Sequence, residues 1–406
     1  MSASLLHASS EPAQFTRIAR QVVQDTPFMA LFGGLASIAY YLLWVQQQSV
    51  GAGQLFAAQC FPSKGGGPLP LRIPYTGNEN VDIILCLMAS FFYPATHDPS
   101  IWAYNLDLVG SLAVELVPFF LDASTVFGGN RILSVTFPLF LGLIYTFNGG
   151  AVVLPLWWLL SIIVQNMRSS FGLPPRTPDT TASWATAFAV TIGYLLPGIL
   201  MVVSPTPKHI ALWILFPLTI AAAQICYYVG AKFPVPSFAP ALSSYQTIQL
   251  TYIALGLFSI CTHIPLLWTI FSSRNPLESA RLQLVPYFSV RKYESKAELQ
   301  RVGLQNEIRR FLQWDHILIA ITTWIVGTWP WAYATPLVAA RVTALSLAGS
   351  FLVGPGAVVA CVFVVKESML QYSRVGIKSS SGDKELIDLV VRSIETVVLG
   401  RSLATS

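Results

Sequence analysis

The sequence predicts an all-α protein, a polytopic transmembrane helix bundle of about eight to ten spans with cytoplasmic amphipathic helices. Hydrophobic residues make up 54% of the 406 residues and charged residues only 11%, against about a quarter charged in soluble domains. Apolar stretches near the length of a membrane span recur along the whole chain. The 24 Lys and Arg residues barely exceed the 19 Asp and Glu residues, so nucleic acid is not expected as a partner. Membrane lipid is the expected surrounding.

Each candidate span is a stretch of mostly apolar residues, and several contain an internal proline of the kind found in bundle interiors. The first is interpreted as an uncleaved span, because a polar tail precedes it. In chain order the stretches run approximately over 28–46, 81–95, 101–121, 132–148, 151–167, 184–203, 209–230, 245–271, 314–334 and 342–365.

The basic residues predict the orientation, because cytoplasmic connections carry an excess of Lys and Arg. They concentrate before the ninth stretch and after the last one, so both segments and both chain ends are expected in the cytoplasm, with the endoplasmic reticulum as the default membrane. The predicted organisation is a cytoplasmic tail over 1–27, transmembrane helices 1–8 over 28–271, a basic cytoplasmic loop with an amphipathic helix over 272–313, transmembrane helices 9–10 over 314–365, and a cytoplasmic tail with an amphipathic helix over 366–406.

The cysteines and the motifs that are missing exclude several classes of protein. Five cysteines show no C-x-x-C spacing, and all except Cys60 lie in apolar segments, so neither a zinc site nor a disulfide framework is expected. No aspartate-rich run is present to hold magnesium on a diphosphate, which disfavours metal-dependent prenyl transfer. G-x-S-x-G, H-E-x-x-H and Walker sequences are also absent. We expect no metal and no cofactor.

Three carboxylates in the stretch 101–121 and just beyond it are the strongest functional signal. On a helix turning about 100° per residue, Asp107, Glu115 and Asp122 fall within roughly 80° of one another, and Tyr104 shares their face. A carboxylate in the middle of a bilayer costs at least about 2.5–3.5 kcal/mol, so such a face lines an interior or a cavity. The alternative is structural, with Asp107 and Asp122 reaching water near the span ends. Glu115 lies nearest the membrane centre, where a low dielectric favours a neutral acid that can donate a proton.

Two further stretches bring ionisable groups to a similar depth. His263 lies about two turns before the end of the eighth stretch, and Asp315 opens the ninth. One pocket could therefore gather Asp107, Glu115, His263 and Asp315, which are the candidate catalytic residues. A histidine in an apolar helix is also a common core residue, and this alternative stays open for His263.

Two short motifs resemble fungal membrane-integral terpene cyclases of meroterpenoid biosynthesis, of the ascochlorin and ascofuranone type. The stretch Asn148–Trp157 resembles their G-A-x-x-x-L-P-L-aromatic segment, and Gln313–His316 resembles their Q-x-D-aromatic entry to a late span, with His316 at the usual aromatic position. The resemblance implies cyclisation of a prenylated aromatic or polyketide-derived substrate without metal or cofactor.

The resemblance and the residues together predict a protonation-initiated terpene cyclase acting on a farnesyl-type prenylated phenol. Glu115 or Asp107 would protonate a terminal epoxide or alkene, and Asp315 or His263 would take the final proton. A proton-coupled transporter or channel for a small apolar molecule is the alternative, since it too would use membrane-buried carboxylates. A lipid isomerase or acyltransferase is a third class. Substrate contacts are expected from Tyr104, Asp122, Asn148, Trp157 and Trp314.

Overall fold

The protein is all-helical in a computed structural model, which describes residues 11–49, 51–61, 71, 73–127, 130–171, 177–231, 242–286, 304–332 and 336–375. This confirms the predicted fold class. The amphipathic helices predicted over 291–301 and 383–400 lie outside the described residues. The helices are α1 (Glu11–Tyr40, continued by a π-turn Tyr41–Val45 and Gln46–Ser49), α2 (Ala52–Cys60), α3 (Glu79–His97), α4 (Pro99–Val126), α5 (Arg131–Asn148), α6 (Gly150–Ser170), α7 (Thr180–Val190, a π-turn Thr191–Leu195 and Leu196–Val203), α8 (Pro207–Ile214), α9 (Phe216–Gly230), α10 (Ser244–Phe271), α11 (Pro276–Leu284), α12 (Leu304–Ala332), α13 (Pro336–Val353) and α14 (Pro355–Val375).

Several helices are long and apolar enough to cross a membrane, which makes the chain a multi-pass membrane protein. Five helices of the described part qualify by length and composition, namely the later part of α1 and all of α5, α6, α7 and α10. The bent pair α8 and α9, which meet at 63°, makes a sixth if the two form one span. The count of eight to ten spans stays a prediction.

The interior is built around α4, whose residues 107–121 are all buried. Small residues let its neighbours approach closely, as is typical of helix pairs in membranes. A Cβ at Gly110 would lie 1.9 Å from the hydroxyl oxygen of Thr262 on α10, and one at Gly356 would lie 2.5 Å from the Cα of Ser111. The polar face of α4 is therefore covered by α10 and α14 rather than by lipid.

Two glycines break stretches of helix at the level of the buried carboxylates. Gly149 separates α5 from α6 with φ +85° and ψ 147°, a conformation that only glycine adopts readily. Gly354 separates α13 from α14 with φ +93°. Gly349 packs against Val358 across this break, so the two helices form a hairpin. The prediction of one span over 342–365 is therefore wrong.

The end of α1 lies beside the beginning of α12, at one end of the bundle. Gln47 Nε2 donates to the carbonyl of Glu307 over 3.3 Å, and Arg310 Nη1 donates to that of Leu42 over 3.4 Å. The predicted topology puts the end of the first span and the loop before the ninth on opposite sides of the membrane, whereas these contacts bring the end of α1 and the beginning of α12 to the same end of the bundle. The reason is α3, which was counted as a span over 81–95.

Helix α3 stays at this same end of the bundle and is not among the candidate spans. Cys86, near its beginning, forms a disulfide with Cys60 at the end of α2, with 5.9 Å between the Cα atoms. Ala95, near its end, shares an apolar cluster with Ile308 at the beginning of α12. The expectation of no disulfide is thus corrected, because α2 folds back onto α3 and brings the two cysteines together.

Candidate functional site

An apolar cavity of about 310 Å³ lies between α1–α5, α8, α9 and α12. Its volume is at the lower end of the range for small-molecule pockets. Three of its lining residues, Gln48, Gly53 and Phe147, are exposed, so the cavity opens to the surroundings there. The wall is mostly aromatic, with contributions from Trp44, Phe56, Phe91, Phe92, Tyr145, Phe147, Trp213, Phe216 and Phe311. Such a lining suits an extended apolar ligand.

Asp315 is the only carboxylic acid among the described residues that line this cavity. It lies on α12 with 8% of its surface exposed. Its Oδ1 accepts a hydrogen bond of 2.8 Å from the backbone N–H of Ala151, in the first turn of α6, and it also accepts from the N–H of Gly150. The positive end of the helix dipole and these free amides stabilise negative charge on this carboxyl group.

The break at Gly149 creates the space that Asp315 occupies. A Cβ at this position would lie 2.9 Å from Asp315 Oδ1 and 3.0 Å from Leu43 Cδ1. Trp44 holds the break from the other side, since its Nε1 donates to the carbonyl of Asn148 over 2.8 Å. The absence of a side chain at residue 149 therefore lets the carboxyl group reach the amides of α6.

The two sequence motifs meet at this point. The stretch Asn148–Trp157 covers the last residue of α5, the break at Gly149 and the beginning of α6, and the stretch Gln313–His316 carries Asp315 on α12. They are 164 residues apart along the chain where Ala151 donates to Asp315. Their juxtaposition gives the motifs a common physical role, in which one supplies a carboxyl group and the other supplies the amides that hold it.

Behind the cavity wall, α4 forms two polar contacts with other helices. Asp107 Oδ1 lies 3.0 Å from His263 Nδ1, and His263 Nε2 lies 3.0 Å from the carbonyl oxygen of Phe351. The hydroxyl group of Tyr104 lies 3.1 Å from His316 Nδ1. Asp107 and His263 are 2% and 1% exposed and do not line the cavity, so this predicted pair forms a buried contact between α4 and α10.

Glu115 is fully buried on α4 and lies on the same face of this helix as Asp107. Neither of its carboxyl oxygens has a hydrogen-bond partner among the described residues. The charges of Asp315 and Asp107 both act on it, and those of Asp315 and Glu115 both act on Tyr145. Tyr145 lines the cavity, so the charge of the buried Glu115 acts on a residue of the cavity wall. An unpaired carboxyl group at this depth is costly when ionised, which favours its neutral form.

The other predicted contact residues lie away from the cavity lining. Asp122 Oδ1 accepts a hydrogen bond from Gln165 Nε2 over 2.9 Å. Asp122 follows Asp107 by fifteen residues, which corresponds to about 22 Å along α4. Trp157 is 1% exposed and packs in the core against Phe119. The remaining two, Asn148 and Trp314, are adjacent in sequence to the lining residues Gly149 and Asp315.

Sequence reasoning missed most of the cavity wall. Its aromatic side chains come from seven helices, and no local pattern distinguishes a phenylalanine facing the cavity from one facing lipid. Gln47 was also missed, although a polar residue near the end of an apolar stretch was visible in the sequence. Among the described residues, no group of three or more His, Cys, Asp and Glu side chains is arranged to hold a metal ion.

Comparison with known proteins places the chain in a family. The model of the CtvD domain matches residues 28–371, which cover every helix that lines the cavity. The chain belongs to the CtvD-domain family. The matched range includes both motifs, Asn148–Trp157 and Gln313–His316, so the CtvD domain contains the site around Asp315.

Two fungal proteins are distant relatives of this CtvD-domain chain. Terpene cyclase ascI of Acremonium egyptiacum is 23% identical over 268 residues, which are 62% of this chain and 67% of that protein. Terpene cyclase alnG of Emericella nidulans is 26% identical over 367 residues, which are 84% of this chain and 94% of that protein. No solved structure matches the chain.

Proposed function

We propose that this CtvD-domain protein is a membrane-bound terpene cyclase that starts the reaction by protonating its substrate, without a metal ion. The substrate is a farnesyl-type prenylated phenol carrying a terminal epoxide or alkene, and the membrane is that of the endoplasmic reticulum. The observation that carries the proposal is that Asp315 is the single carboxylic acid among the described lining residues of a mostly apolar and aromatic cavity. The distant similarity to two terpene cyclases supports it.

Asp315 is the proton donor in this mechanism. The sequence favoured Glu115 or Asp107 for this role, but neither of them lines the cavity. Burial in the apolar cavity disfavours the charged form of Asp315. Its neutral carboxyl group gives its proton to the epoxide oxygen or to the terminal alkene. On an epoxide the C–O bond to the more substituted carbon then breaks, leaving a hydroxyl group and a carbocation. The amides of Gly150 and Ala151 stabilise the carboxylate that remains.

The cavity wall protects and guides the carbocation. Successive alkenes of the folded chain attack the cationic carbon, and each attack forms a C–C bond and moves the charge along the chain. Aromatic faces such as those of Trp44 and Phe216 stabilise the moving charge through their quadrupoles. An apolar wall also excludes water, which would otherwise end the reaction early.

The net reaction is an isomerisation, so the proton that the last cation loses must return to Asp315. The carboxylate that Asp315 keeps after the first step lines the cavity and accepts this proton, which restores the acid for the next turnover. Asp107 and His263 keep α4 and α10 in register behind the wall.

The test is the conversion of a farnesylated phenol epoxide by microsomes that contain the protein, in the presence of EDTA. We expect cyclised product from the wild type and a loss of about 10²-fold or more in Asp315→Asn, because the amide keeps the shape but has no acidic proton. Asp122→Asn is the matched control, since it removes a half-buried carboxylate on α4 that does not line the cavity. Retention of full activity in Asp315→Asn would exclude this residue as the acid, and movement of unchanged substrate across the membrane would instead indicate a transporter.

A further inference from the structure

Two polar side chains, Gln47 and Gln48, line the cavity near the end of α1. Gln47 lines the cavity and is 6% exposed. One N–H of its side-chain amide donates to the backbone carbonyl of Glu307 over 3.3 Å. An amide has two N–H donors and a carbonyl acceptor, so Gln47 keeps an acceptor and a donor for a ligand in the cavity.

A buried ion pair fixes the position of Gln47. Arg310 Nε donates to Glu307 Oε2 over 2.9 Å, and both side chains are almost fully buried. The Nη1 of Arg310 reaches across to α1, where it donates to the side-chain carbonyl of Gln46 and to the backbone carbonyl of Leu42. The last turn of α1 is therefore bound rigidly to the first turns of α12.

The spacing between this polar end and Asp315 follows from α12 itself. Glu307 and Asp315 are eight residues apart, which corresponds to about 12 Å along the helix axis. The lining between them is apolar and aromatic, and includes Phe311 and Leu312. A ligand that satisfies both ends has one polar head, a long apolar middle and a reactive terminus.

We infer that Gln47 binds the phenolic hydroxyl group of the substrate and thereby sets which end of the prenyl chain reaches Asp315. This inference rests on the proposed function, because it requires the reactive terminus to lie at the acid. The apolar chain enters first, and the polar head stays near the exposed mouth at Gln48. The side-chain carbonyl of Gln47 accepts a hydrogen bond from the hydroxyl group, which selects phenols over their ethers.

The test compares a farnesylated phenol with its methyl ether, which cannot donate this hydrogen bond. The Kd of each is measured in the Asp315→Asn background by quenching of tryptophan fluorescence, because Trp44 and Trp213 line the cavity. One neutral hydrogen bond corresponds to a preference of roughly 3- to 10-fold for the free phenol. Gln47→Met should abolish the preference by weakening only the binding of the phenol.

Gln46→Met is the matched control, because Gln46 is likewise bonded to α12, through Arg310, but does not line the cavity. A purely structural role of Gln47 would make the two variants alike, with equal weakening for phenol and ether, and this result would overturn the inference. Equal binding of phenol and ether by the Asp315→Asn protein would also overturn the inference, and this measurement needs no variant at Gln47. Failure of the proposed function has a different signature, since it leaves Asp315→Asn as active as the wild type.

Discussion

Replacing Gly149 by alanine tests whether the position of the Asp315 carboxyl group, rather than its presence alone, determines activity. The new Cβ would lie 2.9 Å from Asp315 Oδ1, and the backbone there has φ +85°. The backbone conformation costs about 1–3 kcal/mol for a residue with a Cβ. The contact itself costs little stability, because the end of a flexible side chain can move away. The atom that moves, however, belongs to the proposed acid.

We therefore expect a moderate loss of stability and a much larger loss of activity in Gly149→Ala. Displacing a reacting group by about 1 Å can lower the rate about 10²-fold. The assay is the initial rate of product formation in microsomes, normalised to the amount of folded protein, together with the melting temperature in detergent.

Gly77→Ala is the matched control for backbone strain. Gly77 has nearly the same φ, +84°, but a Cβ there would meet no atom within 4 Å. We expect it to share the loss of stability and to keep its activity per folded molecule. Equal activity losses in the two variants would refute the positional role of Gly149.

Two further predictions concern groups outside the immediate contact with Asp315. Glu115→Gln should leave the turnover rate close to that of the wild type, because Glu115 does not line the cavity and does not contact the substrate. A loss of about 10²-fold in the folded variant would instead return the role of the acid to Glu115. Reduction of the disulfide between Cys60 and Cys86, 26 residues apart, should lower the free energy of unfolding by about 3–4 kcal/mol. Thermal melts with and without dithiothreitol measure this loss. The variant Cys226→Ala, at an exposed free cysteine, should show the same loss as the wild type. Equal melting temperatures of the wild type with and without dithiothreitol would contradict a stabilising bridge.

The sequence predicted the fold class and the depth of the ionisable groups because both follow from local composition. Apolar stretches identify helices in a membrane, and the position of a charged residue along such a helix gives its depth. Asp107 and His263 were expected at one level, and the structure places them 3.0 Å apart. The direction in which each carboxyl group points was not predictable in the same way.

The choice between Asp315 and Glu115 depends on contacts between distant parts of the chain. Whether Asp315 faces the cavity is decided by the break at Gly149, 166 residues away, and by the amides that this break leaves free. A sequence pattern predicts the helix break at Gly149 but not the residue, Asp315, whose side chain occupies the space there. The disulfide was missed for a related reason, since Cys60 and Cys86 meet only because α2 folds back onto α3.

The disulfide also affects the orientation of the bundle in the membrane. Basic residues occur at both ends, with Arg131 and Arg168 at one end and Arg281 near the other, so the excess of positive charge does not separate the two sides clearly. Disulfides persist in compartments that oxidise thiols, and the bridge between Cys60 and Cys86 lies at the end of the bundle that holds the beginning of α12. The disulfide therefore favours the non-cytoplasmic side for this end, whereas the basic residues of the preceding loop over 272–313 favour the cytoplasm.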